Sequence, residues 1–145
     1  MEVLCSVARE GIETTPVGPG PTLPWYLGEL QAGHLVVAAA IPDDFPPEAE
    51  VEIEYCRRIG LRSNLGIPLR VGGRVMGLIA FTAFRRTRTW PDDLVIRLKI
   101  VDEVFAQALV RSRRETELAA ALTEITRLKE RLEDENVYLR QSAMN

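Results

Sequence analysis

The sequence predicts an α+β fold: an antiparallel sheet between helices, with a long C-terminal helix that extends as a coiled coil. Three observations predict it. From Trp90 to Gln141 the chain holds no Gly, and its single Pro there, Pro91, falls where a helix tolerates one, in the first turn. Upstream, Leu65, Ile67, Leu69 and Val71 alternate, meet Gly72-Gly73, and are answered by an apolar run from Val75 to Phe84, the pattern of a β-hairpin. Downstream, Leu118, Leu122, Ile125, Lys129, Leu132, Asn136 and Leu139 are separated by alternating steps of four and three, the spacing of a heptad seam.

Taken in order, Val3 to Arg9 reads as a short strand, followed by a loop from Gly11 to Pro24 that Gly and Pro punctuate. A short helix spans Trp25 to Ala32 and stops at Gly33; Trp25, Tyr26, Leu27 and Leu30 give it a bulky apolar cluster. Leu35 to Ile41 is a second strand, whose Ala38-Ala39-Ala40 run leaves room for a close neighbour. A helix follows from Pro46 to Ile59. Glu48, Glu50 and Glu52 lie at its start and Arg57 and Arg58 at its end, which complements the helix dipole, and Ala49, Ile53, Cys56 and Ile59 form its buried stripe. In the hairpin, Pro68 conflicts with a central strand position and calls for an edge or a bulge. The second hairpin strand is apolar on both faces and must be covered twice. The 46–59 helix covers one side; Leu94, Leu98, Val101, Phe105 and Leu109 of the long helix cover the other. Thr89 with Asp92 reads as the capping box of that helix.

A helix from Trp90 to Gln141 spans roughly 75–80 Å, too long for a domain of this size to bury. In the heptad, Leu118, Ile125, Leu132 and Leu139 occupy d, and Leu122, Lys129 and Asn136 occupy a. The polar a residues favour two parallel strands in fixed register, and Glu135 at g can meet Arg140 at e of the twin helix. The expectation is a parallel homodimer, with a sheet domain over residues 1–110 and a coiled-coil linker over 111–145.

Net charge −3 and a pI near 5.3 give no whole-chain basic field for nucleic acid. Cys5 and Cys56 make no CxxC or metal spacing and suit a reducing, cytoplasmic setting. No apolar run approaches the length of a membrane span, and no signal sequence opens the chain. His34 is the single histidine, so no His-based metal cluster arises, and no catalytic set is found. Cys56 has Arg57 and Arg58 beside it, yet its place on the buried stripe marks an inert thiol. Gly72-Gly73 is a turn rather than a phosphate loop. Arg85, Arg86 and Arg88 form a basic tip, read as a solvated loop, and Arg111, Arg113 and Arg114 a wet collar on the helix. If a small ligand binds, its wall is the face between the sheet and residues 23–62: Trp25 as an aromatic surface, Arg62 to hold an anion, Asn64 to orient it, and Phe81 from the hairpin. No cofactor is expected.

These residues carry a resemblance. Leu23-Pro24-Trp25 with Leu30 and Gly33, Asp44-Phe45-Pro46 with Glu48-Ala49, and Gly60-Leu61-Arg62-Ser63-Asn64 followed by Ile67-Pro68-Leu69 resemble the GAF domains of bacterial signalling proteins. So do Gly73-Arg74-Val75-Met76-Gly77 with Phe81, and Trp90 with Val104-Phe105-Ala106 and Ala108-Leu109. The stretch from Glu124-Ile125 to Val137-Tyr138-Leu139 is similar to the linker that leads from such sensors into a sigma-54-dependent activator's ATPase, a histidine kinase of a two-component system or a further sensor module. The resemblance implies a non-enzymatic sensor and dimerisation module in signal transduction or transcription regulation. The alternative is a ligand-free interaction module or a fragment of a split sensor gene. The Asn-Lys/Phe/Asp-Glu signature of cyclic-nucleotide-binding members is missing, as are the Cys-His context of bilin attachment and the paired cysteines of methionine sulfoxide reduction. The resemblance also implies that a first helix and a first strand are lacking before residue 3, so that the GAF-like sheet is incomplete. Ile96, Ile100 and Val104 would then be uncovered.

Overall fold

The computed structural model describes residues 2, 3, 6–8, 10–12 and 18–145. The chain divides into two compact units, Met1–Ala106 and Gln107–Asn145. In chain order the elements are β1 (Glu2–Val3), β2 (Gly18–Pro19), α1 (Pro24–Gln31), β3 (Val36–Ala38), α2 (Glu50–Ile59), β4 (Ser63–Val71), β5 (Arg74–Ala83) and α3 (Asp92–Ala143). The class is α+β, and the main sheet is antiparallel in the order β3-β4-β5; β1 and β2 pair separately.

Several boundaries move for local reasons. Of the strand expected over Val3 to Arg9, Val3 lies in β1 and residues 6–8 are irregular; Leu4, Cys5 and Arg9 lie outside the described residues. β3 stops at Ala38 because the Asp44 carboxylate takes the amides of Ala39 and Ala40, at 2.7 and 2.8 Å, and turns the chain. α2 begins at Glu50 rather than Pro46, since Pro47 disfavours helical geometry in the residue before it. At α3 the cap is Pro91, whose carbonyl accepts from the Leu94 and Val95 amides at 2.9 and 3.0 Å, and not a Thr89–Asp92 box. Gly72 and Gly73, at φ 57° and 79°, make the tight hairpin turn.

Pro68 sits in β4, the middle strand. β3 pairs with β4 only from Asn64 to Gly66, so at Pro68 the sheet has lost that neighbour, and a register shift follows at Leu69/Arg70. The missing donor is tolerated because β4 is locally an edge there.

Ser63 to Leu69 of β4 are all buried. On the face of Asn64 and Gly66 lies α1, with α2 packed against it, and a core of Leu23, Tyr26, Leu30, Ile41, Phe45, Ala49 and Cys56. Gly66 is required there: a Cβ would come within 2.3 Å of the Tyr26 hydroxyl. α2 buries Ala49, Glu52 and Cys56, while Ile59, expected inside, is 38% exposed and Leu61 takes its place. The left-handed Gly60 cap redirects the chain between them.

The opposite face, Leu65, Ile67 and Leu69, is equally buried. Within the same unit, α3 turns Leu94, Leu98, Asp102 and Ala106 inward, the last two buried. The expected line through Val101 and Phe105 is corrected: both are exposed, since a strict i, i+4 line moves inward contact one residue on, about 100° around the helix. Ile96, Ile100 and Val104 are exposed at 59, 58 and 66%.

Asp102 is the anomaly of this stripe. Its Oδ1 is buried with no hydrogen-bond partner among the described residues. Burial, and then the charge of Glu103, push its carboxyl up to about 6. The native state therefore takes up a proton more readily than the unfolded chain, and stability falls as pH rises through the interval from the ordinary carboxylate value to about 6. Asp102→Asn is expected to raise the urea midpoint at about pH 7.5 and to give no gain at about pH 4; equal gains at both would show that ionisation is not what matters.

A second expectation concerns the α1–β4 contact. Gly66→Ala should cost about 1–3 kcal/mol by overpacking against Tyr26. Tyr26→Phe alone should cost about 1 kcal/mol through its lost hydrogen bond. Combined in a denaturation cycle, the two should cost less than their sum; strict additivity would mean the tyrosine does not fill the space above Gly66.

Candidate functional site

The covered face of the sheet contains a buried polar cluster. Tyr26 enters it as the third residue of α1, which starts at Pro24 and packs against β4. Its hydroxyl donates to Asn64 Oδ1 at 3.1 Å, and its backbone amide donates to Glu52 Oε1 at 3.2 Å. Burial pushes the Tyr26 hydroxyl up to about 12. Cys56, one turn after Glu52 on α2, is raised to about 11 by burial and by the Glu52 charge, so it is a neutral thiol and a poor nucleophile at physiological pH. Glu52 is 2% exposed, and its Oε2 has no partner among the described residues. From sequence, Glu52 reads only as an acid in the first turn of a helix; its spacing from Ala49 and Cys56 is the one signal that could place it inside.

The residues expected to hold a ligand are not brought to one wall. Trp25 is half-buried and packs against Phe45, ring centroids 5.2 Å apart and planes tilted by 56°. Asn64 is buried and engaged by Tyr26. Arg62 is exposed; its backbone, rather than its guanidinium, is what the structure uses, donating to Ala83 O at 2.8 Å and accepting from Ile41 N at 2.9 Å. Phe81 is half-buried and pairs with Leu65, whereas Asn64 pairs with Thr82. Strand alternation therefore puts Phe81 on the face opposite Asn64.

A cavity lies at the strand ends. It measures about 960 Å³ and is lined by Val7, Ala8 and Ile12, by Ala39 and Ala40, and by every residue from Thr82 to Thr89. The segment after β5 is pinned in place. Trp90 Nε1 donates to Ala38 O at 3.1 Å, the Arg88 amide donates to Ser63 Oγ at 2.6 Å, and Ser63 Oγ donates to Ala39 O at 2.5 Å. The Arg88 guanidinium lies over the Trp90 ring at 5.4 Å, and Arg85 donates to the Glu10 carbonyl at 3.2 Å. The basic tip is solvated, as expected, with residues 85–89 all exposed, but it is pinned at its base and borders a cavity.

Elsewhere, His34 is exposed and meets Glu29 Oε2 at 3.0 Å. Among the described residues no group of His, Cys, Asp and Glu is arranged to hold a metal ion, and no helix is long and apolar enough to cross a membrane.

No characterised protein sequence aligns with the chain. Solved structures do. The blue-light-absorbing form of the Thermosynechococcus elongatus PixJ GAF domain is 16% identical, with a TM-score of 0.65 over 85% of this chain and 74% of that one. The phycocyanobilin-bound GAF domain from a cyanobacterial phytochrome is 15% identical, with a TM-score of 0.60 over 76% of this chain and 67% of that one. GAF3 from Slr1393 of Synechocystis, in its photoproduct state, is also 15% identical, with a TM-score of 0.55; 63% of this chain covers 56% of that domain. At these identities the likeness is one of fold, and the bilin is a property of the protein that holds it. The family description "GAF domain" matches residues 5–111. Sheet, helices and family match agree, and the chain belongs to the GAF domain family, a class of sensory and regulatory modules.

Proposed function

We propose that this GAF domain is a non-enzymatic sensor of a bacterial signalling or transcription-regulatory protein, acting in the cytoplasm as a parallel dimer through residues 118–139. The observation that carries this reading is the single helix α3. Its first part places Asp102 and Ala106 in the core of one unit, and its continuation carries an uncovered heptad seam. Leu118, Leu122, Ile125, Leu132 and Leu139 are 64, 63, 61, 58 and 62% exposed in the single chain. That many large apolar side chains at seam spacing favour a twin.

The polar seam residues are occupied within the chain, Lys129 with Glu133 at 3.7 Å and Asn136 with the Leu132 carbonyl at 3.0 Å. Glu135 pairs with Arg131 at 3.1 Å. Exposed i, i+4 pairs contribute only about 0.3–0.5 kcal/mol, so Glu135 can exchange Arg131 for Arg140 of the twin at little cost. In this reading a ligand or partner on the first unit changes the register or rotation of the helix pair, a known switching mode. The output is an ATPase of the sigma-54 activator type or a histidine kinase. A free, buried Cys56 suits the reducing compartment.

A second reading is a dimerisation module that binds no ligand. It is favoured by the filled α1–β4 interface, where Trp25 and Tyr26 occupy the space a ligand would need.

Sedimentation equilibrium at several concentrations is expected to show a dimer, and Ile125→Asp or Leu132→Asp should each shift it to monomer while the sheet domain stays folded by circular dichroism. A wild-type monomer at high micromolar concentration would remove the dimer. Thermal-shift screening against metabolites separates the readings, since a specific ligand raises the midpoint by mass action.

A further inference from the structure

We propose that the cavity at the strand ends is a binding site for an organic phosphate with an apolar body. Its volume, about 960 Å³, is at the upper end of small-molecule sites. Its lining divides by chemistry. Arg85, Arg86 and Arg88 supply guanidinium donors, and Thr82, Thr87 and Thr89 supply hydroxyls, while the rest of the lining is apolar, with Phe84 its one aromatic ring. Among the described residues no carboxylate lines it.

The charge of this wall is not cancelled. Arg57, Arg97, Arg111, Arg127 and Arg131 each pair with a carboxylate, but Arg85, Arg86 and Arg88 form no ion pair among the described residues. Arg85 spends a donor on the neutral Glu10 carbonyl, and Arg88 stacks on Trp90. Both contacts orient a guanidinium without neutralising it. Arg86 is exposed and has no partner among the described residues. The backbone beneath is pinned to Ala38, Ala39 and Ser63, so little ordering is needed when a ligand arrives. Three guanidinium forks beside hydroxyls match the several acceptors of a phosphate dianion better than a lone carboxylate. The apolar walls require a body beyond the headgroup.

The regulatory consequence rests on the sensor reading above; the binding does not, and the two are tested separately. Phenyl phosphate is the probe, titrated into the full chain by calorimetry and by amide NMR, with benzyl alcohol as the neutral control. Saturable binding is expected, with shifts concentrated at Thr82 to Thr89 and no saturation by benzyl alcohol. Arg86→Glu, an exposed position whose fold is checked by circular dichroism, should weaken it about tenfold or more. Arg85→Gln should weaken it less, and Arg113→Glu, which belongs to the other unit and is not a lining residue, should leave it unchanged. No saturation at millimolar phenyl phosphate, equal affinity in Arg86→Glu, or shifts centred elsewhere would overturn the site. Binding that leaves the monomer–dimer equilibrium and helix exchange rates untouched would uphold the site and remove the sensor reading alone.

Discussion

β4 is the constraint on which the first unit depends. From Ser63 to Leu69 it is buried on both faces, and a strand in that position needs a layer on each side. α1 and α2 supply one. The tightness of that side is set at Gly66, where the strand gives up its side chain to admit the Tyr26 ring. The other face, Leu65, Ile67 and Leu69, shares its unit with the inward line of α3. A strand this short of polar side chains also forces the few polar groups near it to find partners: Asn64 takes Tyr26, and Ser63 both donates to Ala39 and accepts from Arg88.

Ser63 also links fold to site. Its hydroxyl fixes the segment after β5 against the end of β3, and Trp90 repeats the attachment through Ala38. The small side chains of the Ala38–Ala40 run let that segment approach so closely. A basic stretch becomes one wall of a cavity, and its arginines form no ion pair among the described residues. In contrast, the α1–β4 face is sealed by aromatic packing and a buried tyrosine, and its Cys56 is held neutral by burial and the charge of Glu52.

Two buried carboxylates, Glu52 and Asp102, each keep an oxygen without a partner among the described residues. Such groups lower stability unless something donates to them. They face different surroundings. Glu52 lies under α1 with one oxygen engaged, whereas Asp102 sits on the helix that carries the seam. A change in how α3 seats on its unit would therefore alter the environment of Asp102 directly.

By itself the sequence determined the elements that local rules control. Gly72-Gly73 specified the hairpin, the heptad spacing specified one face of α3, and the absence of Gly and Pro beyond Pro91 specified its length. The GAF resemblance was legible in the order of short segments, none of them diagnostic alone. Tertiary structure decided what depends on facing and on distance across the chain. Phe81 and Asn64 both read as pocket residues, but pairing with Leu65 and Thr82 sends them to opposite faces. Glu52 reads as a dipole-complementing acid until the fold covers it with α1. Arg85, Arg86 and Arg88 read as a wet tip because nothing local shows that Ser63 and Ala38, far back in the chain, will hold them against a cavity. Composition and period record what a residue prefers; which neighbour meets it is settled only when distant strands pair.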